Sequence, residues 1–542
     1  MHKGFLCIVL HAHLPYIRHP EYDYFLEENW LYEAITESYI PLLDLFDRLV
    51  NDGIDFRLTL SISPTLIEML NDNLLRERCI KYIDRLMELT EKEAYRTRRD
   101  INFRPVVDMY YKRFRRIRHL FEDVYKRNLI SVFKAFQDEG KLEILASAAT
   151  HAFLPNLSMY PKAVKAQIRT GSKYYQKNFN KNPEGMWLPE CGYAPGFDYY
   201  IKESGMRFFF LDTHGIVYGT PLPRYGVYAP VSCPSTVVAF GRDVESSRQV
   251  WSSVCGYPGD FDYRDFYRDV GFDLDLDYIK PYINPDGIRT YTGLKYYRIT
   301  GKTDNKEPYV IKRARNKAAE HAGNFIFNRE LQINFLSDVF KAKKVKLKPI
   351  ITATYDTELF GHWWFEGVDW LDFLLRGICT GRRNFRTITP PEYLSSQTFQ
   401  IKNNSQIYKE LQICHPSLSS WGHKGYNEVW LNESNDYVYR HLFKATERMI
   451  YLAEKFSNAK GVLRRALNQA AREILLSQHS DWTFIIRSKP AMEYAKKRFE
   501  EHMNRFNILY QKIISDNISE RWLAQLEDKD GIFRDINYKV YR

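Results

Sequence analysis

The sequence predicts an α/β fold built on a parallel sheet or barrel, and it predicts an enzyme. Three observations carry this reading. Short apolar runs at residues 4–10, 142–146, 185–188, 206–211 and 350–354 read as buried strands. Each run leads to polar residues capable of chemistry: His11-Ala12-His13, Ala149-Thr150-His151, Pro189-Glu190, Asp212-Thr213-His214 and Tyr355-Asp356. Helical stretches separate the runs, and in folds that alternate strand and helix the functional groups sit on loops at the C-terminal strand ends.

Taken in order, residues 4–10 are β-branched and apolar, as a fully buried first strand requires. Residues 30–51 carry Leu31, Ile35, Tyr39, Leu42, Leu43, Phe46 and Leu49 near helical spacing. A second strand at 56–62 ends in Ser63-Pro64. Residues 65–140 are charged and helical almost throughout, too long a block for one connection, and read as an inserted helical subdomain. Residues 240–300 are rich in Tyr, Asp and Gly, which points to long ordered loops. Beyond about residue 400 the chain becomes helical, with helices expected near 438–457, 459–480, 489–515 and 518–527.

Composition narrows the function classes. A chain of 542 residues, 44% hydrophobic and 27% charged, can bury a large core and is expected to divide into several domains. The formal charge of +11 invites a nucleic-acid reading. The basic residues are scattered, however, and the denser segments at 95–118 and 341–348 read as solvated helix faces, so no nucleic-acid partner is expected. Seven cysteines stand singly with no CxxC pair, which argues against a disulfide framework and a zinc–thiolate site. The apolar start is interrupted by His11 and makes a poor signal peptide. No stretch reaches the ~18 to 20 apolar residues of a membrane span, so the expected compartment is the cytoplasm. The 39 Tyr, 34 Phe and 10 Trp offer flat faces that suit a sugar ring as well as a protein core.

The chemistry-bearing residues leave alternatives open. His11 and His13 are two apart at a strand end, so period two puts both side chains on one side. With His151 they could coordinate zinc, bind a polyhydroxylated ligand, or serve as structural histidines bonded to backbone. In Trp187-Leu188-Pro189-Glu190, the proline fixes φ and restricts Leu188, holding the glutamate in a defined place. In Thr354-Tyr355-Asp356-Thr357-Glu358-Leu359-Phe360-Gly361-His362-Trp363-Trp364, Asp356 follows an apolar strand directly. Glu358 and Glu366 are its rivals, each equally readable as a capping or ion-pairing residue. Paired carboxylates suit glycosidic cleavage, in which one protonates the leaving oxygen and the other attacks the anomeric carbon or activates water. Aromatic surroundings would supply the raised pKa that an acid needs.

At these residues the sequence resembles glycoside hydrolase family 57, and within it the 1,4-α-glucan branching enzymes. Five short motifs occur in order: His11-Ala12-His13-Leu14-Pro15, Ala149 to Pro155, Trp187 to Glu190, Thr354 to Trp363, and Ser420-Trp421-Gly422 through Trp430-Leu431-Asn432. The resemblance implies a distorted (β/α)7 barrel with an inserted helical domain and a C-terminal all-helical domain. It sets the barrel at 1–78 and 136–400, the insert at 79–135 and the C-terminal domain at 401–542. It implies Glu190 as nucleophile and Asp356 as acid/base, roughly 5 to 5.5 Å apart in a retaining mechanism. His11, His13 and His151 would bind sugar without metal, and no cofactor is implied. Trp187, Trp363, Trp421 and Trp430 would contact substrate, and Tyr257 of Gly256-Tyr257-Pro258-Gly259-Asp260 would lie over the cleft. At Gly293-Leu294-Lys295-Tyr296-Tyr297 tyrosines stand where a tryptophan could serve as a stacking platform.

The implied substrate is an α-glucan such as amylose, starch or glycogen. The implied reaction cleaves an α-1,4 chain and transfers it to a glucan 6-OH. An α-amylase or 4-α-glucanotransferase shares the intermediate and differs only in what attacks it. A zinc-dependent carbohydrate hydrolase or deacetylase and a non-catalytic glucan-binding protein are the readings from other classes.

Overall fold

Strands that are apolar on both faces must be covered on both sides, and a parallel sheet wrapped in helices does this. The computed structural model, which describes residues 2–381, 383–397, 399–402 and 405–542, has that form. Its main sheet contains β1 (Gly4–Ala12), β2 (Leu58–Ile62), β3 (Leu142–Ser147), β4 (Gly185–Trp187), β5 (Phe208–Leu211), β6 (Val231–Ser232), β7 (Val238–Gly241), β8 (Ile350–Asp356) and β9 (Phe385–Thr387). Among the described residues, seven strands run parallel in the order β7-β5-β4-β3-β2-β1-β8. The ends of this row meet through one bridge, Arg242 with Thr352, where the amide of Asp243 donates to the Thr352 carbonyl at 2.8 Å. Closure by one bridge is what makes the seven-stranded barrel distorted. The short strand β6 pairs antiparallel with β7 outside the row, and β9 adds to β1.

Register brings chemistry to one rim. His11 on β1 is paired with Ser61 on β2 and with Asp356 on β8, so three polar groups stand at one level of the C-terminal ends. All nine residues of β1 are buried. Helix α1 (Ile40–Asn51) lays Leu42, Leu43, Phe46 and Leu49 against this sheet, as its spacing predicts.

The block between β2 and β3 contains α2 (Asn73–Arg96), α3 (Arg104–His119) and α4 (Leu129–Asp138). Residues 79 and 135 lie inside α2 and α4, so a boundary at either would cut a helix. The helical block runs instead from Pro64 to Asp138, and its Leu89, Phe114 and Phe136 join the same core as Phe46. A boundary after residue 400 would likewise cut the hairpin of β10 (Phe399–Lys402) with β11 (Ser405–Tyr408), which the sequence pattern did not suggest.

Three more helices cover the barrel: α5 (Pro161–Phe179), α6 (Ile311–Ala342) and α7 (Gly367–Thr380). The C-terminal region is helical as expected: α8 (Tyr437–Lys455), α9 (Gly461–Ser477), α10 (Ser480–Ser488), α11 (Met492–Ile514) and α12 (Glu520–Lys529). The expected helix over 459–480 stops at Ser477, and α10 starts separately at Ser480. No helix among the described residues is long and apolar enough to cross a membrane.

Helix α5 crosses β3 closely because Gly171 faces the strand; a Cβ there would lie 1.9 Å from the Ser147 carbonyl oxygen. Gly171→Ala should therefore destabilise the protein by roughly 1–3 kcal/mol through forced separation of helix and strand. Denaturant midpoints of the two proteins measure this, and equal midpoints would contradict the close approach.

Candidate active site

The two sequence-selected carboxylates arrive by different routes. Glu190 lies in the tight turn Pro189–Cys191 after β4, with φ of 61° at Glu190 and 50° at Cys191. Non-glycine residues in this left-handed region cost of order 1–3 kcal/mol each and persist only where the surroundings hold them. Here the amide of Trp421 donates to the Glu190 carbonyl at 2.9 Å. The Trp421 indole Nε1 donates to Glu190 Oε2 at 2.7 Å, and Ser480 Oγ donates to Oε1 at 3.2 Å. Asp356, the last residue of β8, faces a cleft of about 990 Å³. Among the described residues no side chain donates a hydrogen bond to its carboxyl.

Their electrostatics follow from burial. Burial drives Glu190 up to about 7; the His13 cation opposes this, Asp481 adds to it, the Trp421 N–H opposes it, and Asp356 adds to it. Burial raises Asp356 as well, with His13 and Arg242 pulling the other way. Glu358 is driven up to about 7 by burial and accepts a hydrogen bond from the Tyr39 hydroxyl. Glu366 is buried and accepts the Arg264 amide at 3.0 Å, which accounts for it as a loop-tying residue.

The histidines form a stack. His11 and His13 lie 5.0 Å apart with nearly parallel rings, as period two predicts, and His13 stacks on His151 at 3.9 Å. His11 Nε2 and His151 Nε2 share a hydrogen bond of 2.8 Å, and His151 Nδ1 is 2.8 Å from Ser480 Oγ. Burial, together with the neighbouring histidines, holds His11 and His151 far below the usual histidine range. His13 differs: burial opposes its charge, but Asp481 at 3.2 Å, with Glu190 and Glu358, holds it up to about 10. One nitrogen from each ring lies within 4.8 Å of the others, a spacing that a single cation could bridge. His13 is paired with Asp481, however, and a cation at this spacing would have to displace the proton that this pair holds.

The aromatic residues divide into two kinds. Trp363 is 53% exposed, stacks on Phe266 at 4.6 Å and lines the cleft. Trp421 is half-buried and touches Glu190 directly. Trp187 and Trp430, expected to contact substrate, are buried. Trp187 underlies His11 at 4.7 Å and meets Trp421 edge-on at 5.0 Å. Trp430 stacks on Phe153 at 4.1 Å and packs under Gly422. Both therefore buttress Trp421. Tyr257 was expected over the cleft, but its ring stacks on His321 at 4.5 Å and its hydroxyl donates to Asn324 on α6. Its neighbours Pro258 and Gly259 line the cleft instead. Tyr296, at the departure noted in the sequence, is buried and bonds to Glu93, so it serves packing.

Sequence reasoning missed Ser480, Asp481 and Arg242. Ser480 and Asp481 sit where α9 breaks, and the polar run Gln478-His479-Ser480-Asp481 was the available signal. Arg242 follows β7, pairs with Asp212 at 3.2 Å and lies over the Trp421 ring at 5.4 Å.

Comparison with known proteins agrees with this architecture. A family model described as glycosyl hydrolase family 57 matches residues 7–346. The chain belongs to that family. Within glycosyl hydrolase family 57, a second model, described as the C-terminal region of 1,4-alpha-glucan branching enzyme, matches residues 441–541. The chain is 31% identical to a 1,4-alpha-glucan branching enzyme of Thermococcus kodakarensis, over 98% of this chain and 78% of that one. It is similar in structure to the alpha-amylase AmyC of Thermotoga maritima, with 44% identity, a TM-score of 0.90 and 99% of each chain covered. It is also similar to a branching enzyme of the family from Pyrococcus horikoshii, with 31% identity, a TM-score of 0.84, and 99% and 97% covered.

Two predictions follow from the charge pattern of this family 57 site. Trp421→Phe keeps the ring but removes a donor that stabilises ionised Glu190, so the Glu190 pKa should rise further. Turnover should fall roughly tenfold to a hundredfold, and the acid limb of the pH–activity profile should move to higher pH. An unmoved limb would contradict the donor's role. The second concerns stability. His13 titrates near 10 in the folded chain against 6.5 unperturbed. Its stabilisation is therefore full below pH 6.5 and is lost as pH rises through 10. The melting-temperature gap between the unmodified protein and Asp481→Asn should accordingly be widest near pH 6.5 and close towards pH 10.

Proposed function

We propose that the chain is a 1,4-α-glucan branching enzyme working by double displacement. Glu190 attacks the anomeric carbon of an α-1,4-linked glucan, while Asp356 gives its proton to the departing glycosidic oxygen. The reducing-side fragment leaves, and the other fragment stays as a glucosyl ester on Glu190. Asp356, now ionised, takes the proton of an acceptor 6-OH as that oxygen attacks the same carbon. The ester breaks, Glu190 recovers its electron pair, and an α-1,6 branch remains.

The observation that carries this reading is the unequal treatment of the two acids. Glu190 has a donor on each oxygen, an arrangement that favours an anion ready to attack. Burial favours the protonated form of both acids; at Glu190 the two donors offset it, whereas Asp356 faces the cleft with no side-chain donor on its carboxyl among the described residues. The branching assignment is supported by the match of residues 441–541 to the branching-enzyme C-terminal model, the segment that also supplies Ser480 to Glu190 and Asp481 to His13. In this reading His13 binds the sugar beside the scissile bond, with the buried His11 and His151 holding its ring in place; Trp363 stacks an acceptor or donor glucose, and Trp187 and Trp430 hold Trp421 in place. Seven free cysteines suit a reducing compartment, and we place the enzyme in the cytoplasm.

The second reading is hydrolysis, favoured by the 44% identity to an alpha-amylase. Incubation with amylose separates the two. Branching lowers the iodine colour and creates α-1,6 linkages with little reducing sugar. Reducing ends that rise as fast as the colour falls would establish hydrolysis instead. Glu190→Gln should abolish either activity, and retained turnover would remove Glu190 from the nucleophile role. Activity that survives exhaustive chelation is expected; stoichiometric zinc with chelator-sensitive turnover would favour the metal-dependent reading.

A further inference from the structure

A second pocket, of about 520 Å³, lies between α5 and the C-terminal tail and shares no lining residue with the cleft. After α12 the chain turns back across α5. It is pinned there by Phe533 and Ile536, which are buried, and by the Tyr538 hydroxyl, which donates to the Phe456 carbonyl. Phe533 meets the Tyr174 ring edge-on at 5.2 Å. It does so with a φ of 54°, a conformation that an aromatic residue adopts only when its surroundings enforce it. Tyr174, Phe533, Ile536 and Val540 give the pocket an apolar floor.

The rim is cationic. Arg169, Lys173 and Lys177 line it from α5 at successive i, i+4 positions, where like charges repel and cost helix stability. Arg534 and Lys539 face them from the tail, and Asp535 is the acid among the lining residues. Arg169 is paired with Glu203, and Lys177 with Asp535. Lys173, Arg534 and Lys539 are exposed and have no acidic partner within ion-pair distance among the described residues. Glu68 beneath the floor accepts the Tyr174 hydroxyl and feels the Arg534 and Lys177 charges without pairing with either.

Three exposed cations without an ion-pair partner around an apolar floor make a site for an anion attached to an apolar body. A phosphate monoester brings close to two negative charges and three acceptor oxygens, which matches the rim. The volume exceeds what an inorganic ion fills and falls within the range of small-molecule sites. We propose that this pocket binds an organic phosphate, its phosphate held by Lys173, Arg534 and Lys539 and its ring set against the apolar floor of Tyr174, Phe533, Ile536 and Val540. Occupancy would tie the tail to α5. That helix also reaches the catalytic loops: Gln167 accepts the Thr150 amide at 3.0 Å and donates to Gln478 at 2.9 Å, one residue before His151 and two before Ser480.

Calorimetric titration of the full chain tests the site with three probes: adenosine monophosphate, glucose 1-phosphate and inorganic phosphate. At least one ester should bind with a Kd of about 1 mM or tighter. Inorganic phosphate should bind roughly tenfold more weakly, because it leaves the apolar floor uncovered. A tighter nucleotide identifies the base as the ring on the floor, and a tighter hexose ester identifies the sugar. Lys173→Glu with Arg534→Glu should abolish ester binding while amylose conversion stays unchanged. Should charge reversal impair folding, Lys173→Ala with Arg534→Ala should weaken binding about tenfold. No binding of either ester, equal binding of inorganic phosphate, or unaltered affinity in the alanine pair would each overturn the proposal.

Discussion

The clamp on Glu190 is the interaction on which the rest of the site depends. A carboxylate buried at a barrel rim is costly unless its oxygens are satisfied, and its turn is in a backbone conformation that would relax if released. Both costs are offset from elsewhere in the chain. Trp421 supplies an indole N–H to one oxygen and a backbone amide to the carbonyl, across 231 residues of sequence. Ser480 supplies a hydroxyl to the other oxygen, across 290 residues. The barrel thus provides Glu190 and the C-terminal half provides its anchorage. Neither half contains a complete site, which explains why α10 begins at the polar run that the helical pattern did not anticipate.

Charge balance decides how the acids coexist. Glu190, Asp356, Glu358 and Asp481 converge on a small volume, and like charges at such spacing cannot all ionise freely. His13 is the cation placed among them, and Asp481 keeps it protonated. His11 and His151 stay neutral and hydrogen-bond each other, so the stack offers one charge and several donors rather than three positive rings. Arg242 supplies positive charge from the opposite side, held by Asp212 and lying over the tryptophan that clamps Glu190. Removing either cation would push the remaining acids towards sharing protons.

The strand ends were legible because parallel buried strands leave a simple signature: an apolar run followed by polar residues. That signature located Glu190, Asp356, His11, His13 and His151, all of which the barrel brings to one rim or its loops. The contributions of Ser480, Asp481 and Arg242 were not legible, because each depends on a chain reversal or a packing angle that periodicity does not encode. Exposure of the tryptophans was unreadable for a similar reason. Four of them read alike as polar-flanked indoles, yet Trp187 and Trp430 are buried as supports while Trp363 faces the cleft. A motif identifies which residues meet; burial decides which of them can touch a sugar.

On the proposed reading, what separates a branching enzyme from an amylase cannot reside in the acids themselves, since the glucosyl ester on Glu190 would be the same in both. The fate of that ester depends on whether a glucan hydroxyl or water reaches the anomeric carbon with Asp356 ready to take its proton. Water is always more abundant, so transfer requires an acceptor held in place and a cleft closed around it. The surfaces able to do this are the aromatic ones beyond Asp356: the Trp363–Phe266 pair, Trp251 at the end of the helix Val244–Trp251, and Phe484 on α10. They come from separate segments of the chain, the last from the C-terminal half. On the proposed reading, partition between transfer and hydrolysis is therefore a property of the assembled cleft, set by how these segments pack, and it can change while Glu190 and Asp356 stay the same.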